Sequence, residues 1–261
     1  MTAAMAAEAP HAAPGRRSPR RGASRGAPPR PGTSVIVRVL AVCLMLVGAA
    51  GVYLGGRMLM AGLAGLQADL FLADWQARGG IPSERAAEVA LAAAQRAVTW
   101  YPVAHAELLQ REGRVLAWRS YARPVGDPEV EADRLRALAV FREAVAARPA
   151  WPHAWVGLAQ AKRELGEPDA EFLAALRNAL TYGHGRWEIQ RDVARIGLLE
   201  WENLPMPDQG RVLEAASRTA SDQRREASRL APYLEYAGIT RSFCIYQRAL
   251  RRETNGLCPT R

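Results

Sequence analysis

An uncharged apolar run near the N-terminus constrains this chain more than any other feature of its sequence. The run, VLAVCLMLVGAAGVYLGG, covers residues 39–56. As an α-helix it would extend about 27 Å, which approaches the roughly 30 Å hydrocarbon core of a bilayer. Ile36 and Val37 lengthen the helix further if the side chain of Arg38 extends to the headgroups. A span centred near Arg57 would instead place that charge in the middle of the bilayer, at a cost of about 2.5–3.5 kcal/mol. The sequence therefore predicts one transmembrane helix over residues 35–56.

The charges on the two sides of this run differ, and the difference predicts the orientation of the chain. Five arginines lie within about twenty residues before the run, whereas only Arg57 lies within about twenty after it, accompanied by Asp69 and Asp74. The cytoplasmic flank of a membrane span carries the excess of arginine and lysine. We therefore expect a single-pass protein of a bacterial inner membrane, with a cytoplasmic N-terminus and a periplasmic C-terminal domain.

A cleaved signal peptide is the alternative interpretation of the same apolar run. The 34-residue leader is long for a signal peptide, and no clean A-x-A cleavage site closely follows the run. An uncleaved membrane anchor is therefore the expectation that the sequence favours.

The first 38 residues hold most of the positive charge of the chain. They contain seven arginines and one acidic residue, a net charge of +6, which leaves +3 of the total +9 for the other 223 residues. A nucleic-acid partner is therefore not predicted. Residues 1–34 are rich in Arg, Pro and Ala and nearly lack large apolar side chains, and we expect a disordered cytoplasmic tail.

Two features of the apolar run and its continuation concern helix packing. Gly51 and Gly55 form a GxxxG pair, a spacing that permits close approach of two transmembrane helices and thus a homodimer through the span. The alternative is that they are ordinary glycines, which are common in such spans. Residues 57–80 remain apolar and compatible with a helix, and they are expected to form either a stalk or a first packing helix.

A regular spacing of small and large apolar residues runs through FREAVAARPAWPHAWVGLAQAKRELGE, residues 141–167. The spacing is counted from Pro149: Ala144, Phe141 and Ala137 lie five, eight and twelve residues before it, and Trp155 and Leu158 lie six and nine after it. Small residues suit close helix crossings, large residues fill the space between helices, and proline ends a helix. This spacing of small and large residues resembles that of the tetratricopeptide-repeat superfamily, in which two antiparallel helices form each repeat.

The same spacing occurs upstream, where Ala97, Ala94 and Ala90 precede Pro102 by five, eight and twelve residues. The 47 residues between the two prolines exceed the usual repeat of about 34, and the excess falls in a loop around residues 123–128. The resemblance covers residues 83–202, with one pair ending at Gly183.

The later segments continue this helical pattern. Residues 186–202 and 208–229 read as helices, Pro232 and Gly238 punctuate the chain after them, and a last helix over 240–253 is expected to cap the domain. The predicted fold is all-α: one transmembrane helix followed by a periplasmic helical-repeat domain, a tetratricopeptide-like α-solenoid, over residues 81–261.

The cysteines fit a domain on the oxidising side of a membrane. Cys43 lies in the apolar run, whereas Cys244 and Cys258 lie near the C-terminus on either side of an Asn255-Gly256 turn signal. A bridge between them would close a fifteen-residue loop and contribute about 3 kcal/mol in the chain-entropy model. The alternative is two independent small apolar residues.

Catalytic chemistry is not predicted. The four histidines, at positions 11, 105, 153 and 184, have no partner at the spacing of metal ligands, and the chain lacks a G-x-S-x-G, P-loop or dinucleotide motif. The acidic residues lie mostly beside arginines, as in solvated helix pairs. We expect no enzyme activity, no metal and no cofactor.

The tetratricopeptide resemblance implies a groove lined by the first helix of each pair. The positions it implies are His153, Val156, Gln160, Arg163 and Glu164, followed by Trp187 and Gln190 in the next pair. A mixed polar and aromatic groove suits an extended peptide or a partner's helix. The alternative is that these side chains are ordinary exposed residues.

A narrower resemblance suggests a pathway. The architecture, together with WEIQRDVARIGLLEWENLP and SFCIYQRALRRETNGLCP near the C-terminus, is similar to the VpsP-like accessory proteins of bacterial exopolysaccharide clusters. It implies a scaffold that supports the polymerisation or export of a surface polysaccharide through a membrane-embedded polymerase, ligase or glycosyltransferase. Two alternatives remain: a periplasmic chaperone or assembly factor near the translocon or the cytochrome-maturation machinery, and direct sugar binding with Trp187 and Tyr182 as a stacking platform.

Overall fold

The computed structural model describes residues 34–79, 83–222 and 224–258, and all the regular structure in these ranges is helical. Ten α-helices and two short 3₁₀ helices, Pro128–Val130 and Trp201–Asn203, make up this part of the chain. The α-helices are α1 Val35–Arg78, α2 Glu84–Trp100, α3 Ala106–Arg119, α4 Glu131–Ala147, α5 Pro152–Glu164, α6 Ala170–Gly183, α7 Trp187–Leu199, α8 Met206–Asp222, α9 Arg224–Tyr236 and α10 Thr240–Ala249.

The predicted apolar span lies within α1, which is long and apolar enough to cross a membrane. The chain divides into two compact units, one up to Val47 and one from Gly48 onwards. The predicted disordered tail falls on residues 1–34, of which all but Ser34 lie outside the described residues.

The second half of α1 packs against α2 and α3. Small residues make this close contact possible: a Cβ added at Gly65 would lie 3.2 Å from Leu108 and 3.9 Å from Ala97. An ion pair of 2.8 Å joins Asp69 to Arg111 on α3. The stalk or packing helix predicted over residues 57–80 falls on this stretch, whose buried residues are Ala61, Ala64, Gly65, Ala68, Leu72 and Trp75.

Three helices end at or just before the proline and glycine residues that were predicted to end them. α2 stops at Trp100, two residues before Pro102, and α4 stops at Ala147, two residues before Pro149. Proline has no N–H to donate and disfavours helical geometry in the residue before it, so the chain must turn at both sites. α6 ends at Gly183, as predicted.

Each helix from α2 to α10 packs against the next one along the chain, and α3, α5, α7 and α9 also contact one another in order. One continuous buried cluster runs from Ala68 on α1 to Cys258. At its centre the ring of Phe141 fills the space left by Gly113 and Gly157. A Cβ at Gly113 would lie 2.7 Å from that ring, and a Cβ at Gly157 would clash with it more severely.

The helix predicted over residues 208–229 falls on α8 and α9. α8 covers residues up to Asp222, α9 covers residues from Arg224, and Gln223 lies outside the described residues. The side-chain amide of Asn255 donates to the carbonyl oxygens of Ala220 and Ser221 on α8 at 2.7 and 3.2 Å.

Two predictions near the C-terminus are corrected. Pro232 does not punctuate the chain but lies inside α9, which continues to Tyr236 before Gly238 turns the chain at φ +68°. The helix predicted over 240–253 ends at Ala249, because Arg251 adopts a left-handed φ of +52° and Arg252 turns towards Glu214.

The last residues of the described chain are fixed to α8. Cys244 and Cys258 form the predicted disulfide. Arg252 donates to both carboxylate oxygens of Glu214 at 2.8 and 2.9 Å, and these hydrogen bonds lower the pKa of Glu214 to about 2. The fully buried Gln247 donates to the carbonyl oxygen of Glu253 at 3.2 Å. The C-terminal segment is therefore an integral part of the domain.

The contact between Phe141 and the two glycines generates a stability prediction. We expect Gly157→Ala to destabilise the full-length protein by about 1–3 kcal/mol, because the added methyl group displaces a buried ring. Thermal unfolding of the detergent-solubilised protein measures the effect, since about 1 kcal/mol lowers the Tm of a domain of this size by roughly 2–4 °C.

Gly210→Ala is the matched control. Gly210 also lies within an α-helix, but nothing lies within 4 Å of a Cβ placed there. This substitution should leave stability unchanged or increase it by up to about 1 kcal/mol. Equal Tm values for the two variants would contradict the packing described for Phe141.

Candidate partner-binding face

Polar side chains from α3, α5 and α7 share one surface, which we call the odd-helix face. It is defined by Arg114 on α3, His153 and Gln160 on α5, and Asp192 and Arg195 on α7. Burial lowers the pKa values of Arg114 and His153, and the negative charge of Asp192 opposes this change in both. The side-chain oxygen of Gln160 accepts a hydrogen bond from Arg195 at 3.4 Å. The three helices therefore present these groups to a common space.

The spacing of residues along α5 and α7 explains why this surface is polar. On α7, Glu188, Asp192 and Arg195 follow one another by four and three residues, which places them on one side of the helix. Ile189, Val193 and Ile196 alternate with them and are fully buried. On α5, the same spacing separates the predicted groove residues from a buried row of Ala154, Leu158 and Ala161.

Gln160 and Glu164 form the centre of the face on α5. The amide nitrogen of Gln160 donates to a carboxylate oxygen of Glu164 at 2.6 Å. Glu164 itself is only 9% exposed. Its burial raises the pKa of the carboxyl group above the usual value of 4.5, although the hydrogen bond from Gln160 and the charges of Arg134, Arg163 and Arg195 act in the opposite direction. A carboxylate that is costly to ionise thus lies beneath an accessible amide.

Arg163 ties α5 to the residue that follows α7. Its Nε lies 3.4 Å from a carboxylate oxygen of Glu200, and the two side chains are 16% and 13% exposed. Val156 is half-buried and packs against the core. These two predicted groove residues therefore hold the helices together and present little of their surface to a partner.

An arginine and aromatic cluster occupies the end of the face where α5 begins. The guanidinium groups of Arg148 and Arg186 lie 4.5 and 5.7 Å from the ring centre of Trp151. Arg186 also lies 3.4 Å from the Nε2 atom of His153. Burial, followed by the charge of Arg186, lowers the pKa of His153, while Glu188 opposes that change. His153 is therefore held in its neutral form near pH 7.

The two predicted residues of the next pair have different environments. Trp187 is 40% exposed, and the guanidinium of Arg191 lies 5.1 Å from its ring centre. Tyr182, its proposed partner in sugar stacking, is also exposed. Gln190 is 5% exposed, and its amide donates to the carbonyl oxygen of His184 at 3.0 Å. Trp187 is thus accessible, whereas the side chain of Gln190 stabilises the turn before α7.

Three members of the odd-helix face, Arg114, Asp192 and Arg195, were not predicted from the sequence. A signal for the two on α7 was present in the four-three spacing that begins at Glu188. For Arg114 no such signal existed, because its place on the face depends on the packing of α3 against α5.

Comparisons with known proteins do not identify the chain: no family model matches it, and no curated protein matches it. Within the described ranges, no group of three or more His, Cys, Asp and Glu residues is placed to hold a metal ion. The predicted glycine pair, Gly51 and Gly55, has open space around both Cβ positions.

The burial of Glu164 predicts an unusual pH dependence. Because the folded-state pKa of this carboxyl group is raised, its contribution to stability is complete below the usual value of 4.5 and is lost as the pH rises through the raised pKa. Glu164→Gln does not titrate and can still accept the hydrogen bond from Gln160. We therefore expect this variant to unfold at a higher temperature than the wild type at pH 7.5, because it removes the cost of ionising a buried carboxyl group.

Thermal unfolding between pH 4 and pH 8 measures this difference, which should shrink as the pH falls to 4.5. Glu143→Gln, an exposed substitution on α4, controls for the general effect of removing one acidic group. A Glu164→Gln protein that is less stable than the wild type at pH 7.5 would show that the charged form is the favoured one.

Proposed function

We propose that this chain is a non-catalytic scaffold of a bacterial inner membrane whose helices stack in pairs as a tetratricopeptide-like α-solenoid. The order of helix contacts supports this arrangement, since each helix packs on the next and the odd-numbered helices from α3 to α9 also contact one another. The turns at Pro102, Pro149 and Gly183 support the division into pairs.

We infer that the N-terminus is cytoplasmic and that the helical domain lies in the periplasm. The excess of arginine before the apolar run supports this orientation. The Cys244–Cys258 disulfide also supports it, because disulfides persist in oxidising compartments and are rare in the cytoplasm.

The observation that carries the scaffold proposal is the odd-helix face. Its side chains come from three helices and pair with one another, so a partner meets a preorganised polar surface that needs little ordering on binding. The exposed Trp187 and the stacked Arg148 and Arg186 add the residue types that dominate protein interfaces. Anchoring in the membrane raises the effective concentration of the face towards a membrane-embedded partner.

The resemblance to VpsP-like accessory proteins suggests the identity of that partner. A polysaccharide polymerase, ligase or glycosyltransferase in the same membrane would be held by the face while a surface polysaccharide is assembled or exported. A chaperone or assembly factor would use the same face differently, by contacting many unfolded clients weakly.

Photo-cross-linking in cells distinguishes these functions. A photoreactive amino acid is placed at Gln160 on the odd-helix face, at the exposed Trp187 at the start of α7, and at Leu135 on α4 as an exposed control. We expect one or two dominant adducts from Gln160 and Trp187 and none from Leu135, because a scaffold holds a defined partner. Mass spectrometry of the adducts should identify membrane proteins of polysaccharide assembly.

Two other outcomes would contradict the scaffold. A broad set of adducts with unrelated exported proteins from Gln160 and Trp187 would identify a chaperone. Adducts from Leu135 that match those from the face would show that contact with the odd-helix face is not selective.

A further inference from the structure

A row of four exposed leucines follows the predicted membrane span on α1, and we call it the leucine seam. It consists of Leu59, Leu63, Leu66 and Leu70, which are 64%, 54%, 55% and 64% exposed. Monomeric proteins rarely leave such a contiguous row of large apolar side chains uncovered. The row lies on a regular helix that is already packed against the domain on its other side.

The spacing of the seam is that of a coiled coil. Its members are separated by four, three and four residues, which are the alternating a and d positions of a heptad. The same spacing continues through the exposed apolar residues Val52 and Gly56 before the seam and Ala73 and Ala77 after it. The pattern therefore covers more than three heptads, which is the length at which such a pattern indicates a coiled coil.

The two apolar sides of α1 are opposite each other. The buried residues of this stretch, Ala61, Ala64, Gly65, Ala68, Leu72 and Trp75, occupy the b, c and f positions of the same heptads. The domain covers the b, c and f side of this stretch and leaves the seam exposed.

Lipid cannot cover the half of the seam farther from the span, because polar contacts of the domain lie beside it. Gln67 accepts a hydrogen bond from Arg96 at 3.3 Å, and Asp69 accepts one from Arg111 at 2.8 Å. Both residues lie between Leu66 and Leu70 on the same helix. Charged groups at this level would be costly to place in hydrocarbon, so Leu66 and Leu70 are not covered by lipid tails.

We propose that a second copy of this chain packs on the leucine seam and forms a parallel, two-fold symmetric dimer that extends from the end of the predicted span along the rest of α1. The a and d positions from Val52 to Ala77 carry no charge. Asp69 and Asp74 flank this row at g and e positions, and each is paired within its own copy, Asp69 with Arg111 and Asp74 with Arg78. Two copies anchored in one membrane share an orientation and meet at a high effective concentration. Only this parallel orientation rests on the anchoring proposed above.

In a parallel, symmetric dimer each seam residue lies opposite the same residue of the second copy. Gly51 and Gly55 do not belong to the heptad spacing, so this dimer differs from one that uses the predicted GxxxG pair. The dimer also leaves the odd-helix face free, because that face is formed by α3, α5 and α7.

Cysteine cross-linking of the full-length protein in its membrane tests the register. In a Cys43→Ser background, Leu59→Cys and Leu66→Cys are compared with Met58→Cys, which is 43% exposed and lies about 100° round the helix from Leu59. After mild oxidation, non-reducing gels should show at least a tenfold larger covalent dimer fraction for both seam variants than for the Met58 variant. Equal fractions, or adducts with a different protein at the seam, would overturn the proposal.

A second variant distinguishes loss of the dimer from loss of the folded structure. Leu63→Arg combined with Leu66→Arg changes only side chains that are exposed in one copy, so helix content and Tm should stay the same while the dimer dissociates in sedimentation experiments in detergent. A dimer that survives this change but is lost in Gly51→Leu combined with Gly55→Leu would refute the seam. Photo-cross-linking from the odd-helix face tests the scaffold function separately, since neither variant touches that face.

Discussion

The continuity of α1 is the constraint on which the rest of the structure depends. The helix does not end where the charge-free run ends but continues as one side of the domain core. Arg57, directly after the run, donates hydrogen bonds to the carbonyl oxygens of Thr99 and Trp100 at 2.8 and 3.1 Å. These carbonyls end α2 and lack helical partners, so the arginine both satisfies them and places a positive charge at the negative end of that helix.

Close helix approach is achieved throughout the domain by placing large side chains against glycine and alanine. Phe141 fits against Gly113 and Gly157, Ile189 against Gly183, and Val212 against Gly197. The alanines of α2 and α4 serve the same purpose at positions with no exposed surface.

Much of the helical domain could be predicted because its signals are local. Proline after α2 and α4, glycine at the end of α6 and a turn signal between two cysteines each act through their own backbone or their nearest neighbours. The contact between Asn255 and α8 could not be predicted, because the carbonyls that it bonds lie 34 and 35 residues away. Likewise, the burial of Gln190 depends on the carbonyl of His184 in the preceding turn, and the odd-helix face required knowledge of which helices pack together.

The proposed anchoring, the disulfide and the odd-helix face form one account: we propose that α1 holds the helical domain beside the outer surface of an inner membrane, where a membrane-embedded partner would reach the face. Protease accessibility tests this account most directly. In spheroplasts carrying the full-length protein with an N-terminal epitope, the account predicts that external protease removes the domain and leaves a short, membrane-embedded N-terminal fragment. A domain that stays intact until the inner membrane is lysed would contradict it.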